Sequence, residues 1–227
     1  MIYYVDKEYR TGVETTITTY DSYIAGLLKE KDPFLTEMES YAEQNHVPIM
    51  DSGAIETLLG LLSIQKPNRI LEIGSAIGYS AIRMAQSLPD TFITTIERDQ
   101  ARYLKAVDYI EAAGLSNRIQ IIEADALLLD DQRIVGEAYD ALFIDAAKGQ
   151  YKRFFEKYAS FISSGGVIYC DNMFLHGMVL REDKELPRRK RTMVRNLKEF
   201  TRWVLNHPDY VTSLFPLGDG ILIAIKK

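Results

Sequence analysis

The 227-residue sequence has one cysteine, three histidines and no long apolar run. The single Cys170 cannot form an internal disulfide, and no cysteine–histidine cluster has the spacing of a zinc site. No window approaches the roughly 18 consecutive apolar residues of a membrane-spanning helix. The first 20 residues carry five charged side chains and lack the apolar segment of a secretion signal. We therefore expect no membrane partner and a reducing, cytoplasmic location.

An excess of positive charge is also lacking, because the formal net charge is -5 at pH 7. That balance argues against a protein that coats nucleic acid through overall charge, although it leaves room for a local basic patch. With 47% hydrophobic residues, the chain can bury a full-sized core. We expect an N-terminal arm over residues 1–20 and a single domain over residues 21–227.

Strand-like and helix-like patterns alternate along the chain from residue 69 onward. Five such strands lie between residues 69 and 171, which predicts a parallel sheet covered by helices on both faces. Residues 211–215 and 221–227 flank a turn sequence and predict an antiparallel hairpin. The expected fold is α/β, a Rossmann-like seven-stranded mixed sheet. Helical spacing predicts further helices over 20–30, over 33–46, within 126–137, over 149–163 and over about 190–206.

A glycine-containing turn follows the first strand, within residues 71–80. Gly74 and Gly78 would let a ligand approach the backbone closely, and Glu97, which ends the next strand, suits ribose hydroxyls. Glu72 would repel a pyrophosphate, and the spacing is Gly-x-x-x-Gly, so S-adenosylmethionine fits better than a phosphate-bearing dinucleotide. The alternative is that the glycines only shape the turn and the glutamates are solvated strand ends.

Two later strands end on oxygen-bearing side chains. Asp145 ends the fourth strand, and Asp171 with Asn172 ends the fifth. Because adjacent strand ends lie about 5 Å apart, these side chains can converge on one ion, and their oxygens suit magnesium, manganese or calcium. Lys148 is a candidate base, because a neighbouring cation disfavours its protonated form. Taken singly, each acid is also a plausible helix N-cap, and the lysine a solvated side chain.

Weaker signals come from three other places. Asp125 and Ala126 follow the third strand and could hold an adenine edge, although Asp125 also suits an N-cap. His176, in the loop after Asn172, is placed to approach a substrate. Residues 181–195 hold seven basic and three acidic side chains. Their basic run, which indicates either a phosphate-backbone contact or a solvated helix start, is Arg188, Arg189, Lys190 and Arg191.

Together, these motifs resemble the cation-dependent O-methyltransferases of the catechol and caffeoyl-CoA type. The resemblance spans roughly residues 35–227 and rests on residues 47–50, 71–80, 97, 125–126, 145–151 and 171–172. Within that family the chain is similar to the bacterial branch that includes tRNA 5-hydroxyuridine methyltransferase, through residues 76–85, 143–151 and 216–220.

The resemblance implies a homodimer, S-adenosylmethionine as cofactor and a magnesium ion, with manganese or calcium as alternatives. It implies cofactor contacts from Met50, Glu72, Gly74, Ser80, Glu97, Asp125, Ala126 and Asp145. It implies metal ligands at Asp145, Asp171 and Asn172, with Asp145 and Lys148 as the catalytic residues.

The implied reaction moves the cofactor's methyl group to one hydroxyl of a vicinal oxygen pair. The family match and the basic run favour 5-hydroxyuridine at the tRNA wobble position, which would become 5-methoxyuridine. A small catechol, flavonoid or caffeoyl-type acceptor presents the same oxygen pair and is the alternative. A third interpretation, a cofactor- or RNA-binding module without turnover, is disfavoured because the proposed metal ligands and the lysine are all present.

Overall fold

The computed structural model describes residue 27, residues 32–134 and residues 138–227. Residue 27 is helical; the rest of the predicted helix over 20–30 and the predicted arm over 1–20 lie outside the described residues. Across the described part of the chain, no helix is both long enough and apolar enough to cross a membrane.

Two capped helices precede the sheet. Helix α1, Pro33–Gln44, starts as predicted, since Asp32 accepts a hydrogen bond from the backbone nitrogen of Phe34 at 2.9 Å and proline fills the first turn. Helix α2, Ser52–Gln65, follows Asp51, whose carboxylate accepts from the backbone nitrogen of Ala54 at 2.8 Å. These caps fix where both helices begin.

A seven-stranded mixed sheet forms the centre of the fold. Its strands are β1 Arg69–Ile73, β2 Phe92–Glu97, β3 Ile119–Glu123, β4 Tyr139–Ile144, β5 Ile162–Cys170, β6 Tyr210–Phe215 and β7 Ile221–Lys226. They are arranged in the order β3-β2-β1-β4-β5-β7-β6. The first five strands are parallel, and β7 pairs antiparallel with both β5 and β6. The predicted fold class is confirmed.

The helices between the strands depart from the prediction in two places. They are α3 Tyr79–Ser87, α4 Gln100–Ala112, α5 Tyr151–Tyr158 and α6 Arg188–Leu205. The predicted helix within 126–137 is wrong for the described residues there, which contain only the 3-10 turn Asp131–Arg133. The Asp125 and Asp130 carboxylates bind nearby backbone N–H groups, which competes with helix formation. The helix predicted over 149–163 is shorter, and β5 begins at Ile162.

The two faces of the sheet bury separate apolar clusters. Alternation along β1 sends Leu71 to one face and Ile70 to the other. Helices α5 and α6 cover the first face, and α1 to α4 cover the second. The helices after β1 and β4 therefore lie on opposite faces although these strands are neighbours. That arrangement opens a crevice at their carboxyl ends, where open α/β sheets bind ligands.

Candidate functional site

A cavity of about 690 Å³ lies at the carboxyl ends of the parallel strands. This size is typical of small-molecule sites. Of the eleven predicted site residues, ten line it: Met50, Gly74, Ser80, Glu97, Asp125, Ala126, Asp145, Lys148, Asp171 and Asn172. His176 lines it as well. The structure thus brings together nearly all of the residues that the sequence singled out.

The glycine turn after β1 is shaped by its neighbours. Gly74 has φ +100°, and a Cβ there would collide with the backbone oxygen of Asp145, so the ends of β1 and β4 can approach only with glycine. The buried Glu97 carboxylate accepts hydrogen bonds from the backbone nitrogens of Ala76 and Asp99, both at 2.8 Å. Glu97 is therefore not a solvated strand end; its predicted contact with a ribose remains a prediction.

Glu72 is the predicted residue that the structure does not bring to the cavity wall. It is fully buried, and its carboxylate accepts hydrogen bonds from Ser80 Oγ and Thr95 Oγ1, each at 2.5 Å. Burial raises the pKa of Glu72 to about 7 against the lowering effect of these hydrogen bonds, and repulsion from Asp145 and Glu97 adds to the rise. Glu72 therefore reaches the cavity wall only through its hydrogen bond with Ser80, which does line the cavity, and its predicted contact with a cofactor remains a prediction.

Asp145 and Lys148 form an ion pair at the end of β4. The helical turn Lys148–Gln150 that follows has Ala147 at its N-cap position, so Asp145 does not cap it. Lys148 Nζ lies 5.4 Å from the centroid of the Tyr151 ring. Asn196, on α6, donates a hydrogen bond to the backbone oxygen of Gly149 at 3.1 Å. Helix α6 thus holds the turn that carries the lysine, and the Tyr151 ring lies beside its amine.

Asp171 is almost fully buried at the end of β5. Within the described part of the chain, its Oδ1 has no hydrogen-bond partner. Burial, followed by repulsion from Asp145, raises the pKa of Asp171 to about 7. Its backbone oxygen accepts a hydrogen bond from the Tyr151 hydroxyl at 2.9 Å. Asn172, the next residue, has φ +54°, a conformation that costs free energy and is found at functional sites.

The predicted metal ligands fit a divalent cation chemically. Among the residues that the structure describes, no three or more histidine, cysteine, aspartate or glutamate side chains are arranged to hold a metal ion. The predicted set instead contains two carboxylates and one amide. A buried, unpaired carboxylate oxygen is unfavourable, and so is the repulsion between Asp145 and Asp171. A hard cation would remove both penalties.

Asp125 does not cap a helix, because none begins in the described residues directly after it, and its predicted contact with an adenine edge remains a prediction. Its carboxylate accepts a hydrogen bond from the backbone nitrogen of Leu127 at 2.8 Å, and it also lines the cavity. The basic run behaves differently. It starts α6, and its four residues do not belong to the described cavity wall. Arg191 Nε donates to the backbone oxygen of Leu186 at 3.1 Å, which is a structural contact.

The sequence missed several charged residues of the cavity wall. The wall has six acidic residues, Asp51, Glu97, Asp125, Asp145, Asp171 and Asp219, and four basic residues, Arg98, Arg102, Lys148 and Arg153. This acidic excess suits a positively charged ligand. Asp51 and Asp219 lie in segments that the sequence marks only as a helix start and a hairpin turn. Nothing in those patterns indicates that they approach the other acids.

Comparison with known proteins shows which proteins this chain is similar to. A family model described as O-methyltransferase matches residues 27–227. The tapetum-specific methyltransferase 1 of Arabidopsis thaliana is 30% identical over 200 residues, covering 87% of this chain and 84% of the relative. Caffeoyl-CoA O-methyltransferase of Populus kitakamiensis is 28% identical, with coverages of 86% and 84%. The solved O-methyltransferase of Bacillus cereus, in complex with SAH, is 27% identical, has a TM-score of 0.81 and covers 94% of this chain and 99% of its own.

The buried Glu72 predicts a pH dependence of stability. An acid whose folded-state pKa is about 7, against an ordinary 4.5, binds its proton more tightly in the folded state, so stability falls as pH rises from 4.5 through 7. Glutamine does not ionise, so Glu72→Gln should lack the loss of stability that ionisation of Glu72 causes. In urea unfolding without ligand, we expect the variant to gain up to about 3 kcal/mol relative to the wild type between pH 4.5 and 8.

The exposed Glu111→Gln is the matched control and should show no such pH-dependent gain. A difference in unfolding free energy between Glu72→Gln and the wild type that stays constant with pH would show that folding does not raise the pKa of Glu72.

Proposed function

Because the chain belongs to the O-methyltransferase family, whose enzymes use S-adenosylmethionine, we propose that it methylates one hydroxyl of a small acceptor with two vicinal oxygens. The observation that carries this proposal is the buried Asp171 Oδ1, which has no hydrogen-bond partner in the described residues and lies in one cavity with the Asp145–Lys148 ion pair and the glycine turn. Such a site offers a place for a cation, a proton acceptor and a nucleoside within one crevice.

The cofactor is proposed to lie across the glycine turn. Glu97 supports this placement, because its carboxylate has about four lone-pair positions and already accepts three backbone N–H groups, which leaves room for one ribose hydroxyl. Ser80, which donates to Glu72, keeps its own oxygen available to accept from the cofactor's ammonium group. Met50, Gly74, Asp125, Ala126 and Asp145 complete the proposed contacts.

Lys148 is the proposed proton acceptor. Asp145, Asp171 and Asn172 would hold a magnesium ion, which when bound lowers the pKa of the acceptor hydroxyl and fixes its position. A cation held by Asp145 would disfavour the protonated form of Lys148, so the lysine would accept the proton of that hydroxyl as a neutral amine, and the ammonium so formed would pair with Asp145. Asn196 and Tyr151 hold the lysine turn in place during this transfer.

A small acceptor is better supported than tRNA. The relatives named above include a caffeoyl-CoA O-methyltransferase. Of the basic run that favoured tRNA, Arg188 and Arg189 are exposed, but the run lies outside the described cavity wall and Arg191 contacts the main chain. Methylation of wobble 5-hydroxyuridine therefore stays a second candidate. The predicted homodimer and cytoplasmic location also stay predictions.

Replacing Lys148 by glutamine should lower kcat about 100- to 10,000-fold, because the proton acceptor is lost. Binding of S-adenosylmethionine, measured by calorimetry, should change little, since the cofactor contacts remain. The matched control is Lys152→Gln, whose side chain is 48% exposed and pairs with Glu156 at the surface. A Lys148→Gln enzyme that keeps wild-type kcat would remove Lys148 from the chemistry.

The acceptor class is tested with radiolabelled S-adenosylmethionine. We expect label to enter catechol and caffeoyl-type acceptors and to be absent from resorcinol, whose hydroxyls are not vicinal and cannot share one ion. The second arm offers tRNA that carries 5-hydroxyuridine. Label found in the tRNA alone would overturn the small-acceptor proposal, and equal labelling of resorcinol would overturn the need for a vicinal pair.

A further inference from the structure

A second acid in the cavity wall has one buried carboxylate oxygen without a hydrogen-bond partner in the described residues. Asp219, in the turn between β6 and β7, has a side chain only 9% exposed. Its Oδ1 accepts a hydrogen bond from the backbone nitrogen of His176 at 2.6 Å. Its Oδ2 is buried with no hydrogen-bond partner in the described residues. The Nδ1 atom of His176 lies 3.7 Å from Oδ2, beyond hydrogen-bond distance, and the imidazole is 85% exposed.

The backbone holds this carboxylate in position. The Asp219 carbonyl accepts from the backbone nitrogen of Phe174 at 2.8 Å, and the Gly220 carbonyl accepts from that of Met173 at 3.0 Å. Gly220 has φ +89°, and a Cβ there would lie 2.7 Å from the Phe174 ring. The turn is thus clamped onto the chain that leaves β5, directly after the proposed metal ligands. The Asp219 side chain, on this fixed backbone, can rotate away only by losing the hydrogen bond from His176 N.

One further acid, Asp51, lies near the turn. A Cβ at Gly218 would lie 3.7 Å from Asp51 Oδ2, so Asp51 approaches the same turn. Asp51 in turn repels Asp171. A buried carboxylate oxygen without a donor is destabilising unless a ligand supplies that donor.

We propose that Asp219 Oδ2 accepts a hydrogen bond from the acceptor substrate, from a hydroxyl separate from the vicinal pair. This inference rests on the proposed function and narrows its substrate class. The enzyme therefore prefers acceptors that carry a third hydroxyl. A methoxy group at the same ring position has no hydrogen to donate to Asp219. The methylated oxygen lies near Asp145 and Asp171, and the third hydroxyl points towards the β6–β7 turn.

The test compares catechols that carry either a hydroxyl or a methoxy group at ring position 3 or 4. At one of the two positions, the wild type should prefer the hydroxyl on the order of tenfold in kcat/KM, as expected for a hydrogen bond to a charged group. In Asp219→Asn, the His176 N–H continues to donate to the side-chain oxygen, which the amide then keeps at the Oδ1 position. The amide NH2 group, a donor, therefore stands where Oδ2 accepted. The preference should then disappear or invert.

The matched control is Asp209→Asn, whose side chain is 75% exposed at the far end of β6 and which should keep the wild-type preference. The ratio of kcat/KM values does not depend on the folded fraction, so partial misfolding does not obscure the result. Asp219→Ser is the second variant and should also lose the preference.

The role of Asp219 is overturned if the wild type shows no preference for hydroxyl over methoxy at either ring position. It is also overturned if Asp219→Asn keeps the wild-type preference. Both results leave the proposed function intact. A wild type that methylates none of these catechols overturns the proposed function as well.

Discussion

Two acids at neighbouring strand ends, Asp145 and Asp171, create the electrostatic problem on which the rest of the site depends. Strands β4 and β5 are parallel neighbours, so their carboxyl ends coincide and both carboxylates face one crevice. Burial keeps water from screening them, and their repulsion contributes to the raised pKa of Asp171. Lys148 neutralises Asp145, whereas Asp171 Oδ1 is left without a donor in the described structure. A divalent cation bound between the two acids would relieve this repulsion.

The fold supplies this site through constraints far from the acids. Gly74 allows the ends of β1 and β4 to approach, and the reversal of strand order there opens the crevice. Tyr151 contacts both halves of the charged site, since its hydroxyl binds the Asp171 carbonyl and its ring lies beside Lys148. Helix α6 supports the same lysine turn through Asn196. The helix that begins with the basic run therefore has a structural role that requires no nucleic acid.

The seven-stranded sheet, with its parallel strands followed by an antiparallel hairpin, could be predicted from sequence, and so could most of the residues of the site. Each of these predictions depends on local sequence patterns. Parallel strands place their ends together, so Asp145 and Asp171 were expected to meet once the strands were recognised. The complete burial of Glu72 could not be predicted, since it depends on the tertiary packing that brings Ser80 and Thr95 into hydrogen-bond contact with its carboxylate. The failed helix within 126–137 shows side chains competing locally with the backbone.

Residues on distant loops were the other limit of sequence reasoning. Asp51 and Asp219 approach the site only because α2 packs beside the β6–β7 turn and β7 pairs with β5. A turn-forming sequence such as residues 216–220 predicts a hairpin, but not the cavity it reaches. The basic run lies outside the cavity wall in the described chain, so its predicted contact with a phosphate backbone stays a prediction.

Calorimetric titration of the purified protein with Mn²⁺ tests the cation site most directly, because it needs neither substrate nor turnover. One ion should bind per chain, and Asp171→Ala should weaken binding at least tenfold by removing one charged ligand. Asp209→Ala, at an exposed acid, should leave binding unchanged. Absence of binding to the wild type, or undiminished binding to Asp171→Ala, would contradict the assignment of the acids to a metal.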